Sequence, residues 1–382
     1  MHIVHMIQSA AQIYGAERCL LVETAALRER GHEVRALLCH EARLGEAEDR
    51  LEHELHGRGI PTERLVATRQ VTPQLLAGFV RALRRLRPDV VHSHSMKTDV
   101  LFGPLVRLLR VPLVIEVHGY LRPEDDRRVR LYERLDRWSL RLADAVMVLT
   151  REYEAEVLGA GVVPARAHLC PSGIDVAALR GAGGDPRART GLGLPPVGQG
   201  VVLGMVARLS AEKRPDLFVA VVRALRARGL PVHGVIFGEG PLRSTLEGLI
   251  AAHGLREVIR LPGYVPEVAD AYRSLDVLIA CSRYEGLPLN LIEAMALGVP
   301  VVTTATGGCA DVVLDGETGR VVGRDDEAGL IAAAAELAAD EALRRRLGAA
   351  AAIRAETRFS AAAWAAAAES VYAAARAARQ GR

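Results

Sequence analysis

Residues Ser282–Pro300 read SRYEGLPLNLIEAMALGVP, the order of a strand end, a tight turn and a short helix. The apolar run Val277–Cys281 ahead of them reads as a buried strand. Glu285 and Gly286 form the turn, and Pro288 suits a first helical position. Leu289–Leu297 has helical spacing, and Gly298 with Pro300 stops it. A helix that starts where a strand ends aims its unpaired N–H groups past the strand's C-terminal end, which is an anion site. Glu285 sits beside that site, and Glu293 follows eight residues later, about two helical turns down. Two carboxylates so placed can accept hydrogen bonds from the hydroxyls of one extended polar ligand, such as a sugar at one end and a ribose at the other. Taken singly, Glu293 reads more simply as a helix glutamate paired with an arginine; the whole stretch reads as a site.

The same alternation runs outward in both directions. Upstream, the strands are His2–Ile7, Val34–Leu38, Val90–His92, Pro112–Val117 and Ala145–Leu149, separated by helical patterns such as Glu17–Arg30, Gln74–Arg87 and Asp126–Leu142. Around the opening stretch they are Val201–Val206, Val232–Phe237, Val258–Leu261, Val277–Cys281 and Val299–Thr303, with helices such as Asp216–Arg228 and Leu242–Ala252. Unbroken apolar strands interleaved with helices specify an α/β fold, a parallel sheet covered on both faces. The pattern occurs twice in 382 residues, so two doubly wound domains are expected. Gly181–Gly200, rich in Gly, Pro and charge, is the linker candidate. Ser360–Ala378 is an Ala-rich helix whose aromatics are Trp364 and Tyr372. Ligands of such sheets bind at the strands' C-terminal ends, so two domains facing a central cleft would gather their site residues there.

Several further groups stand just after strands. ARLSAEKR, Ala207–Arg214, places Arg208 and Lys213 beyond Val206, and two cations there suit a diphosphate. Lys97 and Lys213 are the lysines among 49 basic residues, so an ammonium at position 213 stands out against an arginine-biased composition. TGGCADVV, Thr306–Val313, brings Gly307 and Gly308, whose backbone N–H groups can approach phosphate. Tyr14-Gly15-Ala16-Glu17 follows the first strand and opens a helix, without the GxGxxG of a dinucleotide site. His118-Gly119 ends another strand and leans toward function; His92 and His94 read as structural.

Bulk properties narrow the class. A net charge of +3 from 49 basic and 46 acidic residues gives no whole-chain case for nucleic acid. The five cysteines, at 19, 39, 170, 281 and 309, form no CxxC pair. That argues against a zinc site or a disulfide framework and for a reducing cytoplasm. The first residues, MHIVHMIQ, read as a strand rather than a secretory signal. Gln74–Arg87 is amphipathic, with Arg81, Arg84, Arg85 and Arg87 on one side. It reads as a helix covering the sheet, the rival being a surface element on the cytoplasmic face of an anionic membrane. DxD, Walker A, GxSxG and HExxH do not occur.

Together these residues resemble the retaining glycosyltransferases of family 4, with the GT-B fold, over nearly the whole chain. Glu285 to Glu293 fits the family's E-x7-E motif, and Arg208 with Lys213 its diphosphate-binding pair. Pro171-Ser172-Gly173-Ile174-Asp175 is similar to the segment before the interdomain crossing, and Gly307-Gly308 and Asp315–Gly319 to the C-terminal loops. The resemblance implies an acceptor-binding domain over residues 1–178, a nucleotide-sugar-binding domain over 179–358, and a final helix over 359–382 crossing back to the first. It also implies that Glu285 contacts the donor sugar's hydroxyls, that Gly286 and Leu287 help bind the donor, and that Glu293 holds the ribose. Gly15, Gly307 and Gly308 would lie near the diphosphate, and His118 would face the sugar. The expected reaction is metal-independent transfer, with retention, from a UDP- or GDP-sugar to a carbohydrate or lipid-linked acceptor. Polysaccharide, lipopolysaccharide or glycolipid synthesis would use it; no cofactor or metal is expected. Two departures touch the donor loop: Tyr14 stands where the family often has Gly, and Asp311 where it usually has Glu. Rival readings are an epimerase or phosphorylase on the same fold, and a non-catalytic carbohydrate-binding relative.

Overall fold

The structure, a computed structural model, describes residues 1–382 apart from 9–12, 14, 42–49, 68–71, 120–126, 185–187, 266 and 381–382. It divides into two units, Met1–Gly173 with Ala361–Arg382, and Ile174–Ser360.

Along the first unit run β1 (His2–Gln8), α1 (Gly15–Glu29), β2 (Glu33–Glu41), α2 (Arg50–Gly57), β3 (Thr62–Ala67), α3 (Pro73–Leu86), β4 (Val90–Ser93), α4 (Met96–Leu108), β5 (Leu113–Val117), α5 (Arg127–Ser139), β6 (Ala145–Val148), α6 (Arg151–Gly159) and β7 (Ala167–Leu169). The second has α7 (Val176–Gly181), α8 (Ala188–Gly191), β8 (Val201–Val206), α9 (Pro215–Ala227), β9 (Val232–Phe237), α10 (Arg243–Ala252), β10 (Ile259–Gly263), α11 (Val268–Arg273), β11 (Val277–Ala280), α12 (Leu289–Ala296), β12 (Val301–Thr304), α13 (Cys309–Val312), β13 (Gly319–Val322), α14 (Glu327–Ala339) and α15 (Glu341–Phe359). The last helix, α16 (Ala361–Gln380), belongs to the first unit.

Both sheets are parallel. Their orders are β3-β2-β1-β4-β5-β6-β7 and β10-β9-β8-β11-β12-β13. Each reverses direction once, between β1 and β4 and between β8 and β11. Crossover helices leave those neighbouring strands toward opposite faces, so a crevice opens beyond their C-terminal ends.

The central strands are buried because helices cover both faces, and the polar residues they carry, His5, His92, Ser93 and Glu116, are buried with them. β4, β5, β6 and β11 are buried at every position. In α3, Thr72 caps the start by accepting from the Leu75 N–H, Pro73 occupies the first turn, and Leu75, Phe79, Ala82 and Leu83 are buried. Phe79 stacks on Phe102 at 4.4 Å between ring centroids. The apolar side is therefore packed in the core, while Arg81, Arg84, Arg85 and Arg87 remain exposed. Among the described residues no helix is long and apolar enough to cross a membrane.

Alanine lets α16 lie close to its neighbours α1, β5 and β6. It buries Trp364, Ala365, Ala368, Val371, Tyr372 and Ala375 along one stripe. The chain leaves the first unit at Gly173 and re-enters at Ala361. Beside these points the Ile174 N–H donates to the Phe359 carbonyl at 2.8 Å.

Two expectations change here. Gly181–Gly200 is part of the second unit rather than a linker. The Gly184 N–H donates to Asp270 at 2.6 Å, Arg273 donates to the Ala182 carbonyl, Arg189 pairs with Asp276 at 2.9 Å, and Leu194 is buried. Pro288 stands at the cap of α12, one position before its first helical residue.

Helix α12 is held by α15. A β-carbon on Gly348 would lie 2.1 Å from the Gly298 carbonyl oxygen, just past the end of α12. Helix propensity alone favours alanine by about 1 kcal/mol, but this contact is backbone and cannot swing aside. Gly348→Ala is expected to destabilise the protein by about 1–3 kcal/mol, read as a lower melting temperature. A neutral or stabilising effect would show that α12 and α15 can separate freely.

Candidate functional site

The site of the second unit is built at its sheet reversal. Strand β8 ends in a loop, a single 3-10 turn at Ala211–Lys213, and Arg214 in the left-handed region at φ 54°, before Pro215 begins α9. Strand β11 ends at Ala280 and leads through Glu285 into α12. Backbone and side-chain bonds tie these loops together: the Arg283 N–H donates to the Glu212 carbonyl at 2.7 Å, and Asn290 Nδ2 to the Val206 carbonyl at 3.1 Å.

Lys213 and Glu285, 72 residues apart, meet at the centre. Lys213 Nζ lies 2.5 Å from Glu285 Oε1, and the Ser282 hydroxyl donates to the same oxygen at 2.7 Å. The lysine is 24% exposed and the glutamate 10%. An ammonium has three donors, so this pair can hold the carboxylate while the cation also faces an incoming anion. Arg208 is exposed on the same loop.

The loop after β12 completes the group. Gly307 has φ 53°, and a β-carbon there would lie 1.8 Å from the Glu285 carbonyl oxygen. The Gly308 N–H donates to the Gly286 carbonyl at 2.9 Å. Lys213, Glu285, Gly286, Gly307 and Gly308 are thus brought together, with Leu287 half-buried beside them. Glu293 is buried within α12 and accepts from the Tyr272 hydroxyl at 2.7 Å. Burial pushes the nearby Cys281 and Cys309 thiols up to about 12. Neither is a thiolate nucleophile at neutral pH.

Gly15 and His118 lie in the first unit. Gly15 is the exposed first residue of α1; its neighbour Tyr14 lies outside the described residues. His118 follows β5, with Nε2 3.5 Å from Glu116 Oε2. Burial lowers the His118 pKa against the pull of that carboxylate, and burial raises Glu116 to about 7. His92 and His94 are buried in a polar cluster with His5, Glu23 and Tyr372. Burial lowers His5, His92 and His94, with His92 at about 3.

Sequence reading missed Ser282 and Tyr272 as partners of the two glutamates. Ser282, three residues before Glu285, was within reach of a turn argument. Tyr272 was not, because its contact depends on how α11 packs on α12. The His5 contribution had no such signal, because its place opposite His92 depends on the register of β1 against β4.

Two family models match. Residues 195–354 match the glycosyl transferases group 1 model, and residues 14–173 the glycosyl transferase 4-like domain. A D-inositol 3-phosphate glycosyltransferase of Streptomyces scabiei is 31% identical over 325 residues, covering 76% of this chain and 71% of that protein. The alpha-D-kanosaminyltransferase of Streptomyces kanamyceticus is 31% identical over 268 residues, covering 65% and 68%. Among solved structures, Anabaena HepE in complex with UDP superposes with a TM-score of 0.82 at 20% identity, covering 97% of this chain and 99% of that one. The likeness to HepE establishes the GT-B fold.

Proposed function

Because this chain belongs to the group 1 glycosyl transferases, we propose that it moves a sugar from a UDP- or GDP-sugar to an acceptor hydroxyl, with retention and with no metal at the diphosphate. The observation that carries this reading is the Lys213–Glu285 pair at the sheet reversal. It sets a cation for a leaving diphosphate directly beside a carboxylate for sugar hydroxyls. Arg208 adds a second cation, and the Gly307–Gly308 loop adds close backbone approach. Glu293, held by Tyr272, is assigned to the ribose, and Gly15 and His118 to the donor from the first unit. Solved relatives in complex with UDP and with UDP-glucose favour the uridine nucleotide.

In the proposed step the bond from the anomeric carbon to the phosphate oxygen breaks, and its electron pair stays with the diphosphate. The acceptor oxygen bonds to the same face of that carbon, and its proton passes to the leaving phosphate. Lys213 and Arg208 take up the charge that develops. The thiols nearest the site are protonated, which disfavours a double displacement through cysteine.

Relatives named for D-inositol 3-phosphate and for 2-deoxystreptamine support a polyol or carbohydrate hydroxyl as acceptor. One named for colanic acid biosynthesis supports polysaccharide synthesis. A lipid-linked acceptor at the cytoplasmic membrane face would be met through the arginines of α3, since that helix's apolar side is packed inward.

The test is thermal-shift screening against UDP, GDP, ADP and CDP, with and without EDTA. One nucleotide at a hundred times its Kd is expected to stabilise by about 2.7 kcal/mol, with the same increment in EDTA. No increment from any of them would overturn the donor site, and an increment that EDTA abolishes and added Mg²⁺ restores would overturn metal-free binding.

A further inference from the structure

The first unit has its own crevice, at the β1/β4 reversal, and side chains that the transfer reaction does not use converge there. His5 on β1 and His92 on β4 are register partners, and His94 follows two residues on, so strand alternation turns all three imidazoles to one face. Glu23 comes down on them from α1. All four side chains are fully buried.

Distances single out three atoms. His5 Nδ1 is 2.9 Å from His94 Nε2, and each lies 3.9 Å from Glu23 Oε2. A triangle with sides of 2.9, 3.9 and 3.9 Å has its centre about 2.1 Å from every corner, the bond length of zinc to histidine nitrogen and carboxylate oxygen. His92 brings a fourth nitrogen, and the four donor atoms all lie within 4.8 Å of one another.

The surroundings fit a bound cation. Glu23 Oε2 is buried without a hydrogen-bond partner, while Glu23 Oε1 accepts from the Tyr372 hydroxyl at 2.9 Å. One carboxylate oxygen is thus oriented and the other left facing the imidazoles. On the far side of its ring, His94 Nδ1 lies 2.9 Å from Glu116 Oε2 without a hydrogen bond between them, which puts a second carboxylate beside the outer nitrogen of this ligand. Among the described residues, the ion-pair partners of Glu23 and Glu116 are histidines alone, so two buried carboxylates lack a lysine or arginine. A cavity of about 190 Å³, lined by His94, Glu116, His118 and Asp99 among others, reaches the cluster.

We propose that His5, His94 and Glu23, with His92 as fourth ligand, bind one divalent transition-metal cation of the zinc class. The ion ties β1, β4 and α1 together and, through Glu23 and Tyr372, fastens α16 to the first unit. It is a structural site within the first unit and takes no part in the diphosphate chemistry assigned to the second. It revises the expectation from cysteine usage, because its ligands are imidazole and carboxylate rather than thiolate.

The test is metal analysis of the full chain expressed in zinc-supplemented medium, by elemental mass spectrometry and X-ray absorption. About one zinc per chain is expected, with nitrogen and oxygen ligands at about 2.0–2.1 Å and no sulfur. Glu23→Gln and His94→Asn are expected to fall below about a tenth of that content, while Lys213→Ala retains it. Should both ligand variants fail to fold, the wild-type chain refolded with Co²⁺ gives the visible bands of a four-coordinate nitrogen–oxygen site if the inference holds. Wild-type protein that holds no metal as purified and takes up neither Zn²⁺ nor Co²⁺ on refolding overturns it. So does zinc retained undiminished in both variants, or a sulfur ligand in the absorption spectrum.

Discussion

Lys213→Ala lowers kcat by roughly 10²–10³, the loss that follows removal of one donor to a developing oxyanion, while the KM for the nucleotide-sugar moves less. A cation about 4 Å from a phosphate oxygen contributes on the order of 4 kcal/mol at an effective dielectric of about 20, before desolvation. A helix N-terminus contributes roughly 0.3–1 kcal/mol. The ammonium therefore outweighs the start of α12 in stabilising the leaving group, and the helix mainly orients it. The substitution also strips Glu285 of its 2.5 Å partner, leaving Ser282 on that oxygen. Lys213→Arg separates the two effects. It keeps the charge but replaces a compact ammonium by a broad planar fork, so partial recovery is expected. Steady-state kinetics with the donor varied decide the matter, and a kcat unchanged in the alanine variant would remove Lys213 from the reaction.

Gly307→Ala is expected to cost about 10² in kcat/KM without unfolding the protein. The added methyl would sit 1.8 Å from the Glu285 carbonyl oxygen, on backbone at φ 53°. The loops after β11 and β12 must then part, and the bond from the Gly308 N–H to Gly286 goes with them. A displacement of about 1 Å at a positioned group is enough for a loss of that size. Comparing activity with the melting temperature checks the claim. Activity within twofold of wild type would mean that the two loops are not held as one unit.

How much was legible depends on where an element lies in its sheet. β8 and β9 fall on the residues that the apolar runs specify, because each is an almost unbroken apolar run, with His233 as the one polar residue, bounded by Gly or Pro before it. β3, β7 and β13 are edge strands with mixed burial, so their runs are broken and no strand was read there. α14 and α15 escaped for another reason: alanine on every side leaves little contrast between faces. The Gly-rich segment 181–200 looked like a linker because its ties to Asp270 and Asp276 come from side chains almost ninety residues away. At the site, residues following strands could be named, since the fold puts them at one end of the sheet. That Lys213 reaches Glu285, or Tyr272 reaches Glu293, depends on helix packing that no local pattern encodes.

The return of α16 to the first unit has a consequence for how the chain is made. The first unit is interrupted: its β-strands are complete by residue 169, but Trp364 and Tyr372 arrive only after Ile174–Ser360 has been synthesised. At roughly 5–20 residues per second, the ribosome takes on the order of 10–40 s over that interposed stretch. During this interval the surface that α16 will cover, including buried Glu23 and His92, stands open. The second unit is contiguous and can close first. The nascent chain therefore matures out of order, with the unit begun earlier finished later. An arrested chain lacking residues 361–380 would have its first unit as the protease-sensitive part.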